Sequence, residues 1–285
     1  MKLEGVHHVT AITAEAQQNV DFYAGLLGLR MVKKTVNQDD PSVYHLFYAD
    51  EQGDAGSDIT FFEYPGAPLG RAGDGMVHTV GWRVASPEAL GFWADRLEKA
   101  GFESERDDDA RRLRFADFEG LGHELRVSTV PDEALIADHP EVPKEVALQG
   151  FDGVRAYSSA PEASEKLLVE GLGFEPAGQG WEARGESRGG LYALDSPPEQ
   201  PGLQGAGSVH HVAWASKMDE HELWRERVIA AGGRPTPVID RFYFRSIYFR
   251  EPSGVLFELA TLGGAGFAAD EPVETLGERL SLPPN

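Results

Sequence analysis

The chain has 285 residues, of which 41% are hydrophobic and 10% aromatic, with no cysteine and a formal net charge of −21. Such a length and apolar content support a substantial core, and the acidity would repel a phosphate backbone or an anionic bilayer, which argues against nucleic acid and membrane as partners. Without cysteine there is no disulfide framework and no thiolate, so any metal must be held by nitrogen and oxygen donors.

The opening Met1-Lys2-Leu3-Glu4-Gly5 has no apolar leader core, and no later stretch approaches the roughly 20 apolar residues of a spanning helix, so a cytoplasmic protein is expected. Val6 to Thr13 reads as a strand. A helix follows to Gly28-Leu29, with Ala16, Val20, Tyr23 and Leu27 recurring on one face. Alternation in Tyr44-His45-Leu46-Phe47-Tyr48 predicts a half-buried antiparallel strand, and Asp50-Glu51-Gln52-Gly53 a solvated hairpin tip. Gly70 to Gly75 looks like a phosphate loop but leads into a strand, not a helix, and is discounted.

The same order of signals then recurs. Val77 to Ala85 is a strand, Ser86-Pro87 an N-cap with proline in the first turn, and the helix runs to Gly101-Phe102. Asp107-Asp108-Asp109 reads as a second hairpin tip, and the stretch 131–148, with proline and carboxylates but no periodicity, as a linker. Phe151 to Ser158 is a strand, Ser159-Ala160-Pro161-Glu162 a capping box, and the next helix ends at Gly173-Phe174. Val209 to Ala215 opens the last unit, whose helix ends at Gly232-Gly233 and whose later strands include Tyr243 to Tyr248 and the approach to Glu258. The expectation is an α+β fold of four βαβββ modules forming two open-barrel domains. Along the chain these are an N-terminal half (1–130), the linker (131–148), a C-terminal half (149–262) and a tail (263–285).

His-His occurs twice, at His7-His8 and His210-His211, both near the start of a strand. Adjacent residues on a strand face opposite ways, so one histidine of each pair enters a given site. The repeat indicates which. The first position is His7, His78, Asp152 and His210 in the four modules, polar throughout, whereas the second is His8, Thr79, Gly153 and His211, histidine only in modules one and four. His8 and His211 are therefore the expected ligands. Glu258, between Phe257 and Leu259, supplies a carboxylate whose own face must be polar or paired. Matching Gly56 to Gly254 puts Thr60 opposite Glu258, so a fourth protein ligand is missing, and His123-Glu124 has only Thr79 to partner it. Two histidines and one carboxylate fill one face of an octahedral Fe(II) or Mn(II) ion and leave positions open for substrate and O2. One ion shared by His8, His211 and Glu258 requires modules one and four to pack together, leaving two and three as a second, metal-free pair. His45, His139 and His221 lack such context and read as structural or exposed.

These segments, in this order, carry a resemblance: Leu3 to Ile12, Val32 to Asn37 with Tyr44-His45-Leu46, Gly207 to Ala213, and Asp270-Glu271-Pro272. The chain resembles the vicinal-oxygen-chelate superfamily, and within it ring-cleaving dioxygenases of the hydroquinone-dioxygenase type. The resemblance implies Fe(II), less often Mn(II), on His8, His211 and Glu258, with a small aromatic diol and O2 as substrates. It also implies supporting roles for His7, Thr10, His210, Arg241 and Tyr248. A guanidinium on a strand near Glu258 can stabilise a phenolate and a tyrosine can supply a proton. Phe61, Phe62, Trp214, Phe244 and Phe267 are candidate lining residues. Two other readings stay open: a glyoxalase-type isomerase or lyase using Zn(II) or Ni(II), which needs a further glutamate, and a metal-free module that sequesters an aromatic ligand. Hydroquinone and catechol are both admissible substrates. Exposed strand edges make a homo-oligomer plausible.

Overall fold

The computed structural model describes residues 1–282. Module one supplies β1 (Val6–Thr13), β2 (Arg30–Asn37), β3 (Asp40–Ala49) and β4 (Asp58–Glu63), and module two β5 (Val77–Val84), β6 (Ser104–Asp107), β7 (Arg112–Ala116) and β8 (Gly122–Val127). Module three supplies β9 (Phe151–Tyr157), β10 (Glu175–Ala177), β11 (Gly180–Arg184) and β12 (Gly189–Asp195), and module four β13 (Val209–Lys217), β14 (Ile239–Asp240), β15 (Arg245–Arg250) and β16 (Leu256–Leu262). Each module places one helical segment after its first strand: α1 (Ala16–Val20), α2 (Pro87–Lys99), α3 (Glu162–Lys166) and α4 (His221–Ala230). The fold is α+β, as expected.

Two eight-stranded sheets form, in the orders β14-β15-β16-β13-β1-β4-β3-β2 and β10-β11-β12-β9-β5-β8-β7-β6. The first therefore joins modules one and four through the antiparallel β1–β13 pair, and the second joins two and three through β5–β9. One continuous core, including Trp82, Trp93, Trp214 and Trp224, runs through both. Among the described residues no helix is long and apolar enough to cross a membrane.

The polar first position of each module has a structural cause. Val6 pairs with Trp214 and His8 with Ala213, so His7 is the extra residue of a β-bulge, while Thr10 pairs with His211 and Ala11 with Val209, making His210 the extra residue on the partner strand. In the other sheet the same offsets single out His78 and Asp152. All four are bulge residues, and a bulge turns its side chain away from strict alternation.

Several local expectations change. The first and third helices are α for one turn only and continue as π-helical turns, Asp21–Leu26 and Leu167–Gly171. The wider turn buries both Phe22 and Tyr23, where 3.6-residue spacing would have buried only the latter. Ser159 forms no capping box: Pro161 precedes α3 without a side-chain cap, and the Ser159 hydroxyl donates to Asp74 at 2.5 Å. Asp50 is not a solvated tip residue. It is buried, and its carboxylate accepts from the Asp54 backbone N–H at 2.8 Å. The stretch 131–148 packs down, with Ala137, Val142, Ala147 and Leu148 buried.

Candidate metal centre

His8 lies on β1, His211 on β13 and Glu258 on β16, three neighbouring strands of one sheet. The turn before β16 is closed by the Gly254 N–H donating to the Glu251 carbonyl at 2.8 Å, with Gly254 at φ +108°, a conformation that favours glycine. His8 Nε2 is 3.2 Å from His211 Nε2 and 3.2 Å from Glu258 Oε2, and His211 Nε2 is 2.9 Å from that same oxygen. All three residues are buried, and they are the only His/Asp/Glu group of this kind among the described residues. Glu258 Oε2 has no hydrogen-bond partner. Ligands about 2.1 Å from a shared ion, at right angles to one another, lie about 3.0 Å apart, so the triangle fits one face of an octahedron. Bringing a bare carboxylate oxygen to two imidazole nitrogens without a hydrogen bond is costly unless a cation is held between them.

The bulges explain how each histidine pair works as a unit. His7 Nδ1 lies 3.0 Å from His8 Nδ1, and His210 Nδ1 lies 2.8 Å from His211 Nδ1. If Nε2 of His8 and His211 is to offer a lone pair, the ring proton must sit on Nδ1 and donate to the preceding histidine. Burial, reinforced by the neighbouring His8, pushes His7 down to about 3. Burial with the neighbouring His211 takes His210 down to about 4. Both rings are thus neutral and can accept.

Charge at the triangle is mutually adjusted. Burial pushes the Glu258 carboxyl up, but His8 and His211 outweigh it and hold it well below the usual range. Burial pushes His8 down, yet the adjoining Glu258 carboxylate, with Asp58 behind, leaves it raised. His211 is lowered, since burial there is only partly offset by Glu258.

The triangle forms the floor of a cavity of about 440 Å3. Of the expected lining residues, Phe62 and Phe244 do line it, whereas Phe61 and Trp214 are wholly buried core and Phe267 borders a separate cavity on the other side of Phe244. Phe244 packs on both His7 and His8, with ring centroids at 5.1 and 5.3 Å. Tyr248 lies on β15 directly across from Glu258. Arg241 is not on a strand: it follows the two-residue β14 in a bend, from which its Nε donates to the Tyr248 hydroxyl at 3.2 Å. Its two terminal nitrogens donate to both oxygens of Asp39 at 3.0 Å, on the β2–β3 turn. It is therefore both a surface ion pair and a wall of the cavity. Thr10 exchanges a hydrogen bond with Thr60 at 2.8 Å.

Two residues at the site carried no signal of their own in the sequence. Ser246, two positions before Tyr248 on the same strand face, donates to Glu258 Oε1. His45 lines the cavity and its Nε2 is 2.8 Å from the Thr60 hydroxyl. Strand register relates the two: Thr60 stands to Thr10 as Glu258 does to Ala213, and His45 faces Phe62 as Ser246 faces Ala260. His45 is the module-one counterpart of Ser246, and the repeat could have revealed it. His139 and His221 lie away from the cavity, and His221 is bonded to Ser216 at 3.0 Å. His123 of the second sheet accepts from Trp82 Nε1 at 3.1 Å while Glu124 is held by Arg114 and Arg126, so that pair is spent on structure.

A family model described as the Glyoxalase/Bleomycin resistance protein/Dioxygenase superfamily matches residues 5–124 and 150–259. The chain is 42% identical to “Putative ring-cleaving dioxygenase MhqO” of Bacillus subtilis (strain 168), over 99% of this chain and 92% of that protein. It is 32% identical to the chlorohydroquinone/hydroquinone 1,2-dioxygenase of Sphingobium indicum, over 99% and 92%. Among solved structures, a “putative dioxygenase” from Bacillus subtilis superposes with a TM-score of 0.90 at 41% identity, over 99% of this chain and 92% of that one.

Proposed function

We propose that this chain, which belongs to the Glyoxalase/Bleomycin resistance protein/Dioxygenase superfamily, is a ring-cleaving dioxygenase that inserts both atoms of O2 into a dihydroxylated aromatic, hydroquinone or catechol. The observation that carries the reading is the buried His8, His211, Glu258 triangle at the floor of a cavity walled in part by Phe62, Phe244, Tyr243 and Tyr248. Two relatives whose names specify ring cleavage or hydroquinone dioxygenation support it. Fe(II), or alternatively Mn(II), bound there would supply redox chemistry and open positions for diol and O2. Thr60, the counterpart of Glu258, is engaged with Thr10 and His45, which favours a three-ligand set over the further glutamate of a glyoxalase-type enzyme.

The remaining roles follow from the chain's own groups. His7 and His210 hold the Nδ1 protons of the two ligand histidines and fix their rings. Arg241 places a cation beside the Tyr248 hydroxyl, where a phenolate is stabilised and a proton can be passed to oxygen. Burial and the Glu258 charge raise the Tyr248 phenol, only partly countered by Arg241, so it enters the reaction protonated. Thr10 holds Thr60 in place. Phe62, Phe244 and Tyr243 exclude water from the reacting ring. The test is O2 uptake by anaerobically prepared, Fe(II)-loaded protein with a panel of hydroquinones and catechols, with Glu258→Ala as control. Uptake lost in the variant is expected. No uptake with any diol, despite stoichiometric metal, would overturn the reading.

A further inference from the structure

Several polar groups of the cavity lining are committed to protein partners. Arg241 is used by Asp39 and Tyr248, the Tyr243 hydroxyl donates to Asp270 at 3.0 Å, and Asn37 Oδ1 accepts from the Asp39 N–H at 3.0 Å. Two groups are not. The Thr35 hydroxyl is buried without any partner, and the Nδ1 of His45 forms no hydrogen bond with the described residues. Both line the cavity, and they face each other across the β2–β3 ladder in direct register, so their side chains project to the same face about 5 Å apart. A buried hydroxyl left unpaired is costly on its own, and the half-buried His45 ring beside it keeps one nitrogen without a protein partner. They become favourable when a ligand hydroxyl satisfies both.

Their position along the sheet gives that ligand a length. From β1, which carries His8, the order runs to β4 and then β3, which carries His45. Two strand spacings are about 10 Å along the curled sheet. One aromatic ring spans such a gap when one oxygen sits at the triangle and the other is at the opposite end of the ring. An ortho diol has both oxygens at one end and would present only C–H to Thr35 and His45.

We infer that Thr35 and His45 form a specificity-determining subsite that binds the substrate hydroxyl remote from His8, His211 and Glu258, and so select para-dihydroxylated rings. The inference rests on the dioxygenase reading for which oxygen faces the triangle. Burial holds His45 well below the ordinary histidine range, so it meets the ligand as a neutral ring able to donate or accept.

The test measures binding, not turnover. Hydroquinone, catechol and phenol are titrated calorimetrically into Fe(II)-loaded protein without O2, for the wild type, Thr35→Val and His45→Leu, with metal content measured in each. The wild type should bind hydroquinone about tenfold more tightly than phenol, the value of one well-made buried hydrogen bond. Either substitution should bring that ratio to within about twofold while catechol affinity stays unchanged. Equal weakening of hydroquinone and phenol, or a loss of catechol affinity matching that of hydroquinone, overturns the inference. Thr35→Val is nearly isosteric and carries the test by itself should His45→Leu fail to fold. Discrimination that depends on His45 in a protein that consumes no O2 with any diol would leave the subsite standing and remove the dioxygenase reading.

Discussion

Ser246, which bonds Glu258, and Thr60, the module-one counterpart of Glu258, should respond differently to substitution. Ser246 donates to the oxygen of Glu258 that does not face the histidines. Removing the hydroxyl frees the carboxylate to rotate, and loss of such an orienting bond typically lowers metal affinity about 10–100-fold. Competition with a graded chelator should show that loss in Ser246→Ala. Thr60→Ala, by contrast, should leave metal affinity unchanged, since Thr60 bonds only Thr10 and His45. Asp50 makes a pH prediction. Burial raises its carboxyl from 3.8 to about 6, so the folded protein binds this proton more tightly than the unfolded chain. Its contribution is therefore fully present below about pH 4 and is lost as pH rises through about 6. In denaturant titrations the wild type should lose stability relative to Asp50→Asn across that window and run parallel to it above about pH 7.

At the scale of elements, the decisive features are departures from regular geometry. The bulges at His7 and His210 let neighbouring histidines cooperate, although strict alternation would point them apart. The π turn after α1 turns Tyr23 toward module two, where its hydroxyl donates to Asp117 at 2.8 Å and lies 3.0 Å from His123. Tyr23→Phe deletes those bonds and leaves Asp117 short of a donor, which should cost about 1–2 kcal/mol. Chemical denaturation checks this, with metal content unaltered. The sequence made the strands and the α2 cap readable because each depends on neighbours a few residues away. It concealed the π turns and the absent cap at Ser159, because a bulged helix and a serine drawn to Asp74 answer to partners from other modules.

At the scale of the molecule, each sheet takes one module from each half of the chain. The fragment 1–130 contains His8 but neither His211 nor Glu258, and would expose β1 as an open edge. The fragment 149–285 has the opposite deficit. Neither half expressed alone should retain metal at ratios approaching one per chain by elemental analysis, and exposed edges should drive both toward aggregation. The tail follows the same logic. Lys33 on β2 is fully buried, and its ammonium donates to Asp270 and Glu271 at 2.8 Å each, tying the last described segment to the edge of the sheet that carries the His8, His211, Glu258 triangle.

The repeat by itself determined the four modules, the choice of His8 and His211 over their neighbours, and the pairing of modules one and four, because recurrence and alternation are properties of consecutive residues. Only the tertiary structure decided what surrounds those two histidines. The donor to Glu258, the tether of Arg241 to Asp39 and the pairing of Thr35 with His45 in register arise where strands and turns meet side by side in the curled sheet. The contact between the two histidines joins residues 203 apart in sequence, from His8 to His211. No local pattern encodes such contacts, since they depend on how the sheets curl and on which groups burial leaves without a partner.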